Sequence, residues 1–517
     1  MASAGGIGRG FVLITGAKVW FLATATLTSL LFPRLFGDPV AFGRFRVVSG
    51  VLNVVAMVVI TATVQAAARL ASEAGADLRA VRSAGGRVQA ALFGTVFLGV
   101  FAFAGPIAGG LLSDPALEAP LRVASLVIAA YAWYALLVGI LNGDRRFAAQ
   151  AALDAAFSTL KTGLMIAAVV LTASATWAFA GFAAAAFLVL AIAIAATRLP
   201  GSRAAAPPGL ARRYAGYLLP LAGYALVLNL LLQADVVAVK AALGAGDGAG
   251  IAAGAAAGAA AGAAGAVADA ASFAAGVYGA ARNAALLPYQ VVIALTFVVF
   301  PLVSRSSSEG DHAAAATAAA GATRLAAVLS GAAVAALGAA PGDVLQLLFG
   351  PAYAPAGPAL VPLLAASALT ALMYVGNAVL ASAGRPAASL VGAAAAAAVQ
   401  ISALAWLLPG PGAAEATYVP AAIATMLGTA VGASATLYML RRVAPAASWA
   451  WTVVASGGAA AAGVAAARLL AGVLPWPAAC VAAVAVFAAV LAAVRGVVAA
   501  DLARIRRAFG RGAKEAP

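Results

Sequence analysis

Long apolar runs separated by short polar connections dominate the pattern of this 517-residue chain. Each run has roughly 20 mostly apolar residues, the length that an α-helix needs to cross the hydrocarbon core of a bilayer. The pattern therefore predicts an all-α integral membrane protein with about 14 transmembrane helices. The predicted spans lie at about 11–32, 47–68, 89–112, 121–142, 148–171, 177–197, 217–242, 276–301, 321–340, 358–383, 387–408, 419–440, 447–471 and 477–499.

Composition supports this class of protein. Hydrophobic residues make up 65% of the chain and charged residues only 9%, whereas a soluble domain carries about 25% charged residues. A soluble globular protein is therefore excluded. The net charge of +15, from 31 basic and 16 acidic residues, would suggest a nucleic-acid partner in a soluble protein. Here the basic residues cluster between apolar runs, so they indicate topology, and no nucleic-acid partner is predicted.

The positions of the basic residues predict the orientation of the chain. Even-numbered connections, the span ends next to them and the C-terminal tail hold 21 of the 31 basic residues, and the odd-numbered connections hold few of them. Because cytoplasmic loops carry the excess of Lys and Arg, both termini are expected in the cytoplasm of a multi-pass cell-membrane protein. The basic residues of the odd-numbered, external connections and of the span ends next to them are Arg34, Arg44, Arg46, Arg122 and Arg468.

One segment, residues 244–272, is almost entirely Ala and Gly. These residues contribute little transfer free energy, and Gly weakens a helix. A further span here would also invert the charge asymmetry of every later connection. We therefore expect a flexible external loop, whose composition gives no hint of a binding role.

A short internal repeat suggests how the spans are grouped. Leu35-Phe36-Gly37 precedes Phe42-Gly43-Arg44-Phe45, and Ala242-Leu243-Gly244 precedes Ala275-Gly276-Val277-Tyr278. Each pair lies between the first and second spans of a six-span set, and parallel repeats of this kind recur in transporters with the substrate between the halves. The repeat predicts an N-terminal lobe, a C-terminal lobe and a two-helix extension with a basic tail; their ranges are 1–205, 206–443 and 444–517.

Polar residues inside the seventh and eighth spans mark the candidate transport cavity. Ionisable side chains at membrane depth are costly and usually face a bundle interior or a water-filled cavity. Asp235 either neutralises Lys240 or binds a coupling cation or proton. The amides either hydrogen-bond polar groups of a transported molecule or join helices to one another. The residues are Asn229, Gln233, Asp235, Lys240, Arg282 and Asn283.

Other chemistry is not indicated. The single Cys480 lies in an apolar span and the single His312 in a polar connection, so no disulfide, metal site or catalytic histidine is predicted. The chain has no phosphate-binding Gly-Lys-Ser/Thr loop. The external connections lack paired carboxylates. We therefore expect a protein that is not an enzyme and has no cofactor, apart from the coupling cation or proton.

Several motifs together resemble a known family. They are Pro33-Arg34-Leu35-Phe36-Gly37-Asp38 with Phe42-Gly43-Arg44-Phe45, Gly139 to Phe147, Gln233-Ala234-Asp235 with Gly276 to Ala281, Val299 to Arg305, and Leu347 to Tyr353. In this order the chain resembles the polysaccharide and lipid-linked oligosaccharide flippases of the multidrug/oligosaccharidyl-lipid/polysaccharide exporter (MOP) superfamily. The Ala/Gly segment departs from the short loop that is usual there.

The resemblance implies a flippase that moves a polyprenyl-pyrophosphate-linked oligosaccharide, a precursor of cell-surface polysaccharide, by alternating access between two lobes. The two extra helices would flank the cavity and guide the lipid tail. The implied partners are the lipid-linked oligosaccharide, membrane lipids and polysaccharide-synthesis enzymes.

A pyrophosphate needs cationic counter-charges to cross hydrocarbon. Because the first and eighth helices line the cavity in similar flippases, Lys18 and Arg282 are the expected ligands, with Arg46 as a third. Each could instead be a snorkelling side chain or part of an internal ion pair. Asp154 and Lys161 share one helix face, and a structural role is favoured for both.

Three other functions stay open at this stage. A multidrug/cation antiporter of the same superfamily would have acidic cavity residues and, typically, twelve spans. A polysaccharide polymerase or ligase would need a large polar external loop. A non-transporting scaffold of an envelope polysaccharide-synthesis complex would recruit partners through its basic tail.

Overall fold

The structure, a computed structural model, describes residues 4–73, 76–197, 207–252, 257–290, 292–293, 312–382, 386–408, 415–445, 447 and 449–496. We number the α-helices in chain order and leave out one of three residues, Ala104–Pro106. They are α1 (Ala4–Leu35), α2 (Pro39–Ala71), α3 (Leu78–Ala102), α4 (Glu118–Gly143), α5 (Phe147–Thr172), α6 (Ala175–Ala196), α7 (Leu210–Ala252), α8 (Ala257–Ala285), α9 (His312–Gly338), α10 (Pro341–Phe349), α11 (Gly357–Ser382), α12 (Pro386–Leu407), α13 (Glu415–Leu440), α14 (Ala450–Leu469) and α15 (Trp476–Ala493).

The predicted all-α membrane architecture is confirmed. Among the described residues, 13 helices are long and apolar enough to cross a membrane. They correspond to every predicted span except the eighth. That span, 276–301, begins inside α8, and most of its second half lies outside the described residues, as does the basic tail beyond residue 496. His312 opens α9 and does not lie in a connection.

The expected loop at 244–272 is wrong wherever the structure describes it. Helix α7 continues to Ala252, and α8 begins at Ala257; residues 253–256 lie outside the described part. The reason is that alanine has the highest intrinsic helix propensity, while each glycine costs only about 1 kcal/mol. A segment too weakly apolar to be a span can therefore still be helical. Its external position stays a prediction.

The end of the third span is irregular, and this irregularity positions Asp114. Helix α3 stops at Ala102, and a short turn around Pro106 leads into a π-helical segment, Ile107–Leu111. Proline inside a helix removes a backbone hydrogen bond and favours such breaks. The chain then reaches Asp114, whose side chain accepts a hydrogen bond from the Ala116 amide at 3.1 Å and caps the next helical turn. The break therefore leaves a carboxylate at the end of the span.

The chain divides into two compact units. Unit 1 is Met1–Ala280 with Leu404–Ala421, and unit 2 is Ala281–Ala403 with Ala422–Pro517. One boundary thus falls inside α8. These units do not coincide with the lobes expected from the repeat, and the lobe boundaries stay a prediction.

In unit 1, α2 packs along both α4 and α7, while α1 packs on α5. Helix α4 is the most enclosed of the described spans because it packs against α2, α6 and α3. In unit 2, α14 and α15 pair with each other and pack on α9. Small residues allow this approach: a Cβ on Gly331 of α9 would lie 3.1 Å from the Ser456 carbonyl oxygen of α14.

Helices α2 and α8 cross in unit 1 with their backbones in contact. A Cβ on Gly43 would overlap the Ser272 carbonyl oxygen and lie 2.9 Å from the Gly276 amide nitrogen. A Cβ on Gly276 would overlap the Pro39 carbonyl oxygen. Gly43 and Gly276 are the corresponding glycines of the two repeat motifs. The two copies of the motif therefore meet at this crossing, and glycine is required by close approach.

We expect Gly43→Ala and Gly276→Ala each to destabilise the protein by about 1–3 kcal/mol, the usual cost of overpacking. Thermal unfolding of the purified protein in detergent measures this. The matched control is Gly216→Ala on α7, where an added Cβ meets nothing within 4 Å. That substitution should be neutral or stabilising, because alanine is the better helix former. Equal losses in all three variants would contradict the close approach.

Candidate functional site

A fully buried lysine lies at the centre of a charged cluster in unit 1. Lys240 of α7 has no exposed surface. Its Nζ donates to Asp114 Oδ2 at 3.0 Å, to the Ala268 carbonyl oxygen at 2.8 Å and to Ser272 Oγ at 2.6 Å. An ammonium group has three protons to donate, so Lys240 is satisfied in full.

The carboxylate of Asp114 receives donors from several segments. Ser272 Oγ donates to Asp114 Oδ2 at 2.8 Å, and Arg44 Nε of α2 donates to the same oxygen at 3.2 Å. Arg44 also donates to Asp269 Oδ1 of α8 at 2.7 Å. Burial alone would raise the pKa of Asp114, but the Lys240 charge and the hydrogen bonds from Arg44, Lys240 and Ser272 outweigh it and lower that pKa. The carboxylate is therefore held ionised.

This cluster, which we call the Asp114–Lys240 hub, joins α2, α7, α8 and the connection after α3. Two roles were predicted for Asp235, and one of them was to neutralise Lys240. In the structure, Asp114 neutralises Lys240 instead. Sequence reasoning missed this partner because 126 positions separate the two residues. One signal was present: Arg44 is among the few basic residues expected on the external side, where a carboxylate partner would offset its charge.

A second polar cluster lies where α7 faces α2 and α8. Asp235 is fully buried, and its Oδ2 accepts a hydrogen bond from Tyr278 of α8 at 3.1 Å. The Tyr278 ring stacks on Tyr418 with centroids 6.4 Å apart. Arg46 of α2 covers Gly279, because a Cβ there would lie 3.1 Å from both Cγ and Nε of the arginine. The structure therefore brings Arg46 and Asp235 into the same three-helix region.

The predicted amides of α7 behave differently from each other. Asn229 is buried, and its Nδ2 donates to the Ala225 carbonyl oxygen of the preceding turn at 2.8 Å. Gln233 has a buried Oε1 with no hydrogen-bond partner among the described residues. It faces Gly50 of α2, where a Cβ would lie 3.9 Å from that oxygen. Gln233 thus keeps an open acceptor, while a donor of Asn229 is already used within its helix.

Arg282 and Asn283 lie in α8 beyond the boundary between the units, about one turn after Tyr278. Both are buried, each with 5% of its surface exposed. Contacts of Arg282 and Asn283 with a substrate stay a prediction.

Lys18 lies elsewhere in unit 1, between α1 and α5. Its Nζ is 3.6 Å from Asp154 Oδ2, and 45% of its side chain is exposed. Asp154 Oδ1 also accepts a hydrogen bond from Tyr134 of α4 at 2.9 Å. The internal ion pair that the sequence left open for Lys18 is therefore present, together with a half-exposed ammonium group. Asp154 was expected to have a structural role, and its pairing with another helix fits that expectation.

An ion pair also joins the other ends of α2 and α7. Arg213 donates to Glu73 Oε1 at 2.8 Å, and the Arg69 guanidinium lies 6.0 Å from the centroid of the Tyr217 ring.

Within the described part of the chain, His, Cys, Asp and Glu form no group that could hold a metal ion. The charged clusters described here join helices through ion pairs.

Comparison with known proteins decides the fold. The sequence matches no protein-family model and no curated protein. The structure of a lipid II flippase MurJ in an inward closed conformation is similar to this chain with a TM-score of 0.69 at 11% identity, over 93% of this chain and 98% of that one. The chain therefore has the fold of that structure.

Structures of transporters described as members of the MOP superfamily agree less closely. An outward-facing multidrug resistance MATE family transporter of this superfamily gives a TM-score of 0.56 at 14% identity, over 84% of this chain and 96% of that one. A MOP superfamily transporter from Pyrococcus furiosus, described as having a binding pocket of reverse polarity, gives 0.54 at 13% identity over the same share of this chain. The predicted resemblance to the MOP superfamily is thus confirmed for the fold.

Proposed function

We propose that the protein is a flippase that translocates polyprenyl-pyrophosphate-linked oligosaccharide across the cytoplasmic membrane by alternating access. The observation that carries the proposal is the extent of the structural match. The flippase structure covers 93% of this chain and the MATE structures about 84%. The longer match favours a flippase over a drug antiporter.

The helices α14 and α15 follow the two predicted six-helix lobes. They pair with each other and pack on α9 in unit 2. In the proposed flippase, this hairpin flanks the cavity and guides the lipid tail of the substrate.

The proposed ligands of the pyrophosphate are Lys18, Arg46 and Arg282, with Asn229, Gln233 and Asn283 for sugar hydroxyls. Arginine forms paired hydrogen bonds with phosphate oxygens, and lysine supplies a compact charge. The buried position of Arg282 and the open acceptor of Gln233 support their roles. The donor that Asn229 gives to its own helix favours the alternative of a structural amide for that residue.

The proposed orientation places both termini in the cytoplasm. Two of the external arginines are paired with carboxylates: Arg44 with Asp114, and Arg122 with Glu118 at 2.7 Å. These pairs stabilise the ends of the helices, whereas the proposed orientation rests on the excess of Lys and Arg in the even-numbered connections. Polysaccharide-synthesis enzymes are the proposed protein partners.

The proposal is tested by comparing two substrates in the same proteoliposomes. One preparation carries a fluorescent polyprenyl-pyrophosphate sugar in its lipid, and the other contains a cationic dye. A flippase should move the lipid and leave the dye, whereas a multidrug antiporter should export the dye under an ion gradient. A scaffold should move neither, and either of these last two results would overturn the proposal.

Asp235 is the proposed ion-coupling residue. Asp235→Asn should remove any dependence of transport on a cation or proton gradient, because the amide carries no charge to bind the ion. Transport rates with and without each imposed gradient measure this. Asp269→Asn, which neutralises a half-exposed carboxylate of α8, is the control and should retain the wild-type response. A gradient response in Asp235→Asn equal to that of wild type would assign coupling to another residue.

A further inference from the structure

A second lysine lies at membrane depth in the seam between α1 and α5. The Nζ of Lys161 is 4.9 Å from the centroid of the Phe21 ring and 5.5 Å from that of Phe182. No described carboxylate forms an ion pair with it; the carboxylate of its own helix, Asp154, is occupied by Lys18 and Tyr134. Aromatic faces attract the ammonium but do not neutralise its charge.

An ionised group without a counter-charge in an apolar surrounding is costly. An apolar side chain of similar length would fill the space between two phenylalanine rings without that cost. A lysine held there by cation–π contacts alone therefore has an unused capacity to bind an anion.

Lys18 and Lys161 both lie along the contact between α1 and α5. On α1, Phe21 lies about one turn after Lys18; on α5, Lys161 lies seven residues after Asp154, a rise of about 10 Å. Lys18 contacts Asp154, and Phe21 contacts Lys161, so both helices run in the same direction here. If the N-terminus is cytoplasmic, Lys161 lies nearer the outer face than the ion pair does.

We propose that Lys161 is a further phosphate-binding cation of the transport path, and that Asp154 pairs with Lys18 in the empty protein until a phosphate displaces it. The inference rests on the proposed function, because it assigns two further residues to recognition of the same pyrophosphate.

The difference between the two lysines gives the order of events. Lys161 forms no ion pair with a carboxylate in the described part of the chain, so an anion that binds there displaces no partner and forms a charge-assisted hydrogen bond. Lys18 must first release Asp154, which Tyr134 keeps in place with a hydrogen bond. Asp154 therefore weakens binding at Lys18 in the empty protein and prevents that lysine from remaining unpaired. Phosphate passing from one lysine to the other would move along the seam.

The test measures binding of a short-chain prenyl pyrophosphate to the purified full-length protein in detergent by titration calorimetry. We expect Lys161→Met to weaken binding about tenfold or more, the usual effect of losing a hydrogen bond to a charged group. Lys161→Arg should retain most of the affinity. Asp154→Asn should tighten binding, because Lys18 is then freed from its competing carboxylate.

The outcomes separate the two proposals. Wild-type protein that does not bind the probe would overturn the proposed function and this inference with it. Wild-type binding with equal affinity in Lys161→Met would overturn the role of Lys161 alone. Unchanged or weaker binding in Asp154→Asn would overturn the role of Asp154. If Lys161→Met does not fold, Lys161→Gln takes its place, and the Asp154→Asn result still tests the competition independently.

Discussion

Asp114→Asn should lower the free energy of unfolding by about 3–5 kcal/mol, the cost of removing one partner from a buried ion pair. The side chains of Lys240 and Asp114 are 0% and 1% exposed. The amide would leave the Lys240 ammonium buried without a counter-charge, although its hydrogen bonds to Ser272 and Ala268 remain. Thermal and denaturant unfolding of the purified protein in detergent measures the loss.

The control is Asp269→Asn in the same cluster. Asp269 also binds Arg44, at 2.7 Å, but 55% of its side chain is exposed. Exposed ion pairs contribute about 0–1 kcal/mol, so this substitution should have a small effect. Equal losses for the two aspartates would show that burial of the Asp114–Lys240 hub does not determine its contribution.

The pH dependence of the same effect follows from the lowered pKa of Asp114. A carboxyl whose pKa is lower in the folded protein than the ordinary value of 3.8 stabilises the fold above that value. The stabilisation is lost as the pH falls through the folded pKa. The difference in unfolding midpoint between wild type and Asp114→Asn should therefore be constant from about pH 5 to 8. A difference that changes steadily across this range would contradict an ionised Asp114.

Arg282→Ala should reduce transport by about 100-fold, if the guanidinium forms the paired, charge-assisted hydrogen bonds with pyrophosphate that the proposal requires. Arg282 is buried on α8, and a pyrophosphate cannot enter an apolar bundle without such a counter-charge. The transport rate in proteoliposomes and the thermal midpoint are measured together. The protein should remain folded, so that the loss is one of recognition.

Two variants make this result specific. Arg122→Ala removes a half-exposed arginine that pairs with Glu118 one turn earlier, and it should transport like wild type. Arg282→Lys keeps the charge but loses the planar fork, so it should recover only part of the rate. Transport by Arg282→Ala at the wild-type rate would contradict the role of Arg282 as a ligand of the pyrophosphate.

Much of the architecture could be predicted because hydrophobic length is a local property. Each span is specified by its own residues, and the repeat glycines Gly43 and Gly276 were visible as matching motifs. The helical conformation of the Ala/Gly segment was not predicted. A low transfer free energy argues against a membrane span, but helix formation depends on intrinsic propensity, which is highest for alanine. Irregularity at the end of α3 was missed because a single Pro106 in an apolar run does not show where the helix will break.

The polar partners were harder to predict because they depend on which helices are neighbours. Lys240, Asp235 and Lys18 could each be identified as costly charges at membrane depth. Their partners Asp114, Tyr278 and Asp154 come from other helices, and no sequence spacing links them. The pairing of Lys240 with Asp114 instead of the nearby Asp235 illustrates this: proximity in sequence placed a carboxylate five residues away, but the fold supplied a different one.

The most direct measurement is lipid movement by wild-type protein in proteoliposomes that carry a fluorescent polyprenyl-pyrophosphate sugar. A membrane-impermeant hydrolase outside the vesicles cleaves only the substrate in the outer leaflet. A flippase should make nearly all of the labelled lipid accessible over time, while protein-free vesicles should stop near the half that was already outside. Accessibility equal to that of protein-free vesicles, with the host's own lipid carrier among those tested, would contradict the assignment as a flippase.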